Sequence, residues 1–175
     1  MKKISMISML ILGLALAALV GCGGGGGGGG AFLPVAQPTT AVVTLSTTTN
    51  GNPIPANTII TGYDVTITLP AGVTVKSANP PLTDAGVVTN NPAGSSIDTN
   101  YTKAAGAIPG TVRIVIAKGD GYSAGVFSKV NCDVAAGVTV KASDFQYTFT
   151  ASGFDTVAVS NVDITNDLTL TGVVN

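Results

Sequence analysis

The chain has 175 residues and one formal net negative charge; it is 45% hydrophobic but only 10% charged. Low hydrophobicity combined with high net charge, the signature of disorder, is missing, and eight Lys and Arg against nine acids leave no basic excess to grip nucleic acid. With no His in the sequence, a Ser-His-Asp set, a His metal ligand and a His-ligated haem are all excluded, and with no Glu every acid is an Asp.

At the start, Lys2 and Lys3 precede an apolar stretch from Ile4 to Val20 that only Ser5, Ser8 and Gly13 interrupt. This is the organisation of a secretory signal peptide. Leu19-Val20-Gly21-Cys22 resembles the lipobox of bacterial lipoproteins. The resemblance implies cleavage of residues 1–21, diacylation of the Cys22 thiol and acylation of the new amine; apart from this covalent lipid no cofactor is expected. Each buried CH₂ contributes about 0.8 kcal/mol and one chain binds only marginally, so two or three chains would hold the protein on a membrane without a spanning helix. An uncleaved anchor is the alternative, its apolar stretch lying at the short end of the roughly 17–25 residues that span a bilayer. Gly23, not Asp, follows the Cys. By the same resemblance this places the protein in the cell envelope, at the outer membrane of a Gram-negative host.

Gly23 to Gly30 is an unbroken run of eight glycines, and Ala31 to Pro38 adds two prolines without periodicity. Residues 22–38 therefore read as a flexible tether, the glycines spanning roughly 15–17 Å.

From residue 39 to 175 Thr and Val dominate, and Gly, Pro, Asn and Asp punctuate at short intervals. That texture predicts strands and no helix. Ala41–Thr47 ends at the Asn50-Gly51 turn signal. Tyr63, Val65, Ile67 and Leu69 alternate with polar residues until Pro70, and Val73–Lys76 follows the Ala71-Gly72 turn. Val87–Thr89, Ile97–Tyr101 and Thr111–Ala117 come next. Gly125–Val134 carries Val130, Cys132 and Val134 on one apolar face. Phe145–Ala151, Thr156–Val162 and Leu168–Val173 complete an all-β chain of nine or ten strands, spaced as in a sandwich or barrel. Ala71-Gly72-Val73-Thr74-Val75-Lys76 recurs as Ala136-Gly137-Val138-Thr139-Val140-Lys141, which reads as two equivalent turn-strand corners.

Residues 60–78 (ITGYDVTITLPAGVTVKSA) and 110–137 (GTVRIVIAKGDGYSAGVFSKVNCDVAAG), with Ala142-Ser143-Asp144-Phe145, resemble cohesin modules over residues 40–175. The resemblance implies a jelly-roll-type sandwich, an architecture that cohesins share with certain carbohydrate-binding modules. It also implies a non-catalytic binding role; cohesins bind their dockerin partners through one sheet face.

Cys132 is the one cysteine left beside Cys22, so no internal disulfide is expected, and its strand face makes it a core residue. The Asp residues are scattered beside turns (Asp84, Asp120, Asp155) or at outward strand positions (Asp64, Asp133), which disfavours the paired carboxylates of a glycoside hydrolase. Asp163 and Asp167 with Asn161 and Asn166, and Asp98 with Asn100 and Asn91, are weak Ca²⁺ candidates lacking the spacing of a calcium loop. Tyr101 and Tyr122, expected in or near loops, are the candidates for a glycan contact, whereas Tyr63, Phe127, Phe145 and Phe149 read as core. The expected role is a lipid-anchored envelope protein binding another protein or assembling at the surface. A carbohydrate-binding module is the alternative, and an Asp-based hydrolase the second.

Overall fold

The computed structural model describes residues 39–76, 88–89 and 91–175. The expected signal peptide, the Cys22 lipidation site and the glycine tether lie outside these residues, as does Asp84. Ten strands follow one another: β1 (Thr40–Thr49), β2 (Thr58–Thr68), β3 (Val73–Val75), β4 (Val88–Thr89), β5 (Ser96–Thr102), β6 (Thr111–Tyr122), β7 (Val126–Val134), β8 (Gln146–Asp155), β9 (Ser160–Asp163) and β10 (Leu168–Val174). One antiparallel sheet has the order β10-β1-β7-β3, with β4 also on β7; the other has the order β5-β6-β2-β8-β9. The chain crosses between sheets at β1–β2, β2–β3, β4–β5, β6–β7, β7–β8 and β9–β10. This is the expected all-β sandwich.

The core follows from the period-two alternation of the strands. Val43 and Leu45 on β1, Val65 and Ile67 on β2, Val112, Ile114 and Ile116 on β6, and Val130, Cys132 and Val134 on β7 are all buried between the sheets. An aromatic stack crosses this interior. Tyr63 lies 4.4 Å from Phe127 and 5.5 Å from Tyr122 between ring centroids. The Tyr63 hydroxyl shares a 3.0 Å hydrogen bond with the buried Thr47 hydroxyl.

Several strands run beyond their expected limits. β2 begins at Thr58 because a bulge between Ile60 and Gly62 breaks the alternation without ending the pairing. β6 continues through Gly119, Asp120 and Gly121 to Tyr122, which pairs with Ile60; Gly121 takes φ +85° where a Cβ would sit 3.1 Å from Ile59. The expected strand from Thr156 starts only at Ser160. The Asp155 carboxylate accepts the N–H groups of Val157 (2.8 Å) and Ala158 (2.9 Å) and bends these residues into a turn. These two bonds hold the Asp155 carboxyl below its usual range.

That turn leaves Val159 at φ +53°, in the left-handed region, with 72% of its surface exposed. A β-branched residue costs about 1–2 kcal/mol there. Val159→Gly is therefore expected to raise stability by about 0.5–1 kcal/mol after the entropy lost on fixing glycine. A urea midpoint that falls would contradict this reading of the turn.

The two AGVTVK corners make the same turn, with Gly72 and Gly137 both at φ +80°. They also touch. The Gly72 carbonyl accepts the Ala135 N–H at 2.8 Å, and a Cβ on Gly72 would meet the Val138 side chain. Only the first corner continues as a strand, because Val73 and Val75 pair with Val134 and Cys132.

Candidate functional site

The outward positions of the β5-β6-β2-β8-β9 sheet form a broad polar face. With Tyr63, Val65 and Ile67 turned inward, β2 presents Gly62, Asp64, Thr66 and Thr68 on the opposite side. The register lines up Asp98, Val115, Asp64 and Thr150 in one row across β5, β6, β2 and β8. Asn100, Arg113, Thr66 and Thr148 form the next row. Ser96, Ala117, Gly62, Ser152 and Asp163 form a third that reaches β9. Short side chains keep this face low.

One ion pair crosses it. Arg113, the single arginine of the sequence, donates from Nε to Asp64 Oδ1 at 3.0 Å and from Nη2 to Asp64 Oδ2 at 2.6 Å. The fork fixes the planes of both groups, and Asp64 raises the Arg113 pKa further. Both side chains are well exposed, at 59% and 34%, so the pair adds little to folding and mainly sets a fixed charge pattern on the surface.

Beside this pair lies a shallow depression of about 410 Å³, lined by Asp64, Ala117, Thr150, Ser152, Asn161 and Asp163 around Gly62. It exists because Gly62 has no side chain; a Cβ there would come within 2.9 Å of Ser152 Oγ and 3.2 Å of the Ile116 carbonyl. Asp163 Oδ1 accepts the Thr165 N–H at 2.9 Å, and bonds from the Thr165 side chain and backbone hold its carboxyl below the usual range. A glycosidase acid needs the opposite, a raised pKa. The Asp64 carboxylate is already taken by the Arg113 fork. Among the described residues no three His, Cys, Asp or Glu side chains gather as metal ligands, so Asp163 and Asp167 do not come together with a third such group.

Of the two tyrosines expected in or near loops, Tyr122 ends β6 beside the 123–125 connection and Tyr101 sits elsewhere. Tyr101 lies inside β5 opposite Val112, where the alternation with Asn100 turns its ring inward, and is only 6% exposed. Burial raises its pKa. Tyr122 ends β6, half-buried, its ring stacked on Tyr63. It lines a groove of about 510 Å³ with Ile59, Pro92, Lys118 and Val126 at one end of the sandwich. Every described aromatic side chain is buried or half-buried. Tyr63, Phe127 and Phe145 are buried as expected, and Phe149 is half-buried.

Cys132 is 1% exposed, and burial, with the Asp133 charge second, pushes its thiol up to about 12. A nucleophilic thiolate needs the reverse. Cys132→Ser, which buries a hydroxyl in an apolar face, is expected to cost about 1–3 kcal/mol. The same thiol fixes a pH dependence. The unfolded chain ionises it near 9.0 and the folded chain not until about 12. Its contribution is therefore intact below pH 9 and declines as pH rises towards 12, by up to about 1.4 kcal/mol per unit. Urea midpoints of Cys132→Ala should fall less steeply than wild type over that window.

The Asp64–Arg113 fork and its rows were not legible beforehand, since sequence alternation marks outward residues but not which strands lie side by side. Compared with family models, with curated proteins and with solved structures, the chain matches none.

Proposed function

We propose that this chain is a lipid-anchored cell-envelope protein whose sandwich is a non-catalytic binding module, docking another protein on the outer face of the β5-β6-β2-β8-β9 sheet. The observation that carries the reading is that face. It is wide and low, its polar rows run across four strands, and one oriented ion pair gives it a charge pattern beside a shallow depression. A polar surface with a fixed pair and a recess suits protein recognition, in which complementarity of shape and charge selects the partner. The resemblance to cohesins points the same way. The low placement of aromatic rings weighs against a flat polysaccharide platform.

The anchor and the face are tested separately. Cys22→Ala is expected to remove the protein from the membrane fraction or block its maturation, and unchanged fractionation would contradict lipidation. For the face, the full chain carrying Thr150→Arg is compared with Thr44→Arg on the other sheet. The reading expects a defined protein recovered with wild type and Thr44→Arg but lost with Thr150→Arg. Equal recovery by all three, or calorimetric binding to a polysaccharide that Thr150→Arg leaves intact, would overturn it.

A further inference from the structure

Among the described residues, β10 pairs with β1 on one side only. In an antiparallel ladder, residues that exchange both bonds with one neighbour alternate with residues whose N–H and C=O point the other way. Val42 and Asn175 exchange both bonds, at 2.9 and 3.2 Å, and the Asn50 N–H reaches the Asp167 carbonyl at 2.9 Å. Stepping by twos along the register, Thr44–Val173, Ser46–Thr171 and Thr48–Thr169 are the bonded pairs with β1. The amides and carbonyls of Leu168, Leu170, Gly172 and Val174 therefore point away from β1, to the edge of the sheet, where no other described strand pairs with them.

Sheet edges are normally blunted by short length, charge, proline or a bulge. β10 has none of these: it is seven residues, LTLTGVV, paired with β1 without a register shift. The other outer strands are protected. β5 carries Asp98, β9 is four residues and carries Asp163, β3 is three residues and β4 two.

We propose that β10 pairs antiparallel with β10 of a second copy of this chain, about a two-fold axis at Thr171, joining the two sheets into one. That register opposes Leu170 to Gly172 and Leu168 to Val174 across the axis. Every outward-pointing amide and carbonyl of the strand then meets its counterpart. On the solvent face Thr171 lies opposite Thr171, and Thr169 opposite Val173, β-branched pairs that pack well across strands. No charged side chain lies within the paired strands, and at the ends Asp167 falls opposite the Asn175 side chain. The contact is isologous, as a closed dimer requires. A second copy is the occupant that this self-complementarity fits; a strand of a different protein would need none of it.

The test uses the full chain with Thr171→Cys. The two Thr171 positions form a non-bonded pair, with Cα atoms about 4.5 Å apart, inside the range a disulfide spans. Cys132 is buried, and the wild-type chain reports any background from Cys22. Mild oxidation is expected to link Thr171→Cys into a dimer. Thr169→Cys and Val173→Cys should each stay without a disulfide link alone and link only when the two are mixed. Thr171→Lys, which opposes two lysines, should shift the sedimenting mass to that of the monomer. The proposal is overturned if Thr171→Cys links no more than Thr148→Cys on the opposite sheet. It is equally overturned if Thr169→Cys alone links as well as Thr171→Cys, or if Thr171→Cys links only to a different protein.

Discussion

Tyr63→Ala is expected to destabilise the sandwich by about 3–5 kcal/mol, the range for removing a large buried ring. The ring is 2% exposed and sits between Phe127 and Tyr122 in the stack. Its loss opens a void between the sheets and removes the anchor for both neighbours. The hydroxyl can be isolated from the ring. Burial raises the Tyr63 pKa while the bond from Thr47 opposes that rise. Tyr63→Phe keeps the stack but leaves the Thr47 hydroxyl buried and unpaired, which should cost about 1–3 kcal/mol. Thr47→Val in the Tyr63→Phe background should recover much of that, because both polar partners are then gone. Equilibrium urea unfolding of the four proteins measures the cycle. A Tyr63→Ala protein within about 1 kcal/mol of wild type would mean that the stack is not part of a packed core.

Gly172→Val is expected to cost about 3 kcal/mol, the upper part of the overpacking range. Gly172 lies on β10 directly against the Tyr147 ring of β8, and even a Cβ at that position would overlap the ring. The close approach is how β10 of one sheet packs onto β8 of the other. Tyr147 must leave its place or the two sheets must part. Gly172→Val combined with Tyr147→Ala should therefore be less damaged than the two single losses added together. Additive losses in thermal unfolding would show that ring and glycine do not meet.

Much of the sandwich was legible because period-two alternation is local. Val65 and Ile67, Val112 to Ile116, and Val130 to Val134 each declare a buried face without knowledge of their neighbours. Cys132 was placed by the same alternation. The strand limits were obscured where glycine is used for close approach instead of a turn. The expected strands stop at Ala117 and Ala151, yet β6 and β8 run on through Gly121 and Gly153, where neighbours from β2 press against the bare backbone. Val157 and Val159 read as strand, but the Asp155 carboxylate turns that segment outward. Tyr101 was misplaced for a related reason: Ser96 to Thr102 is mostly polar, and its inward set, Ile97, Thr99 and Tyr101, is too mixed to announce itself.

The candidate site was less legible than the core. Asp64 was recognisable as an outward residue, but its meeting with Arg113 depends on β2 and β6 being neighbours in one particular register, 49 residues apart in sequence. A shift of one residue would send either group to the interior. The depression at Gly62 likewise depends on the bulge that ends beside it.

The docking face is tested most directly by a photoreactive amino acid placed in the full chain at Thr150, with a matched position at Thr44 on the outer face of the other sheet. Irradiation in the cell, followed by mass spectrometry of the adducts, is expected to give one defined protein adduct at Thr150 and none of it at Thr44. The same adduct at both positions, or at Thr44 alone, would contradict the assignment of recognition to the β5-β6-β2-β8-β9 sheet.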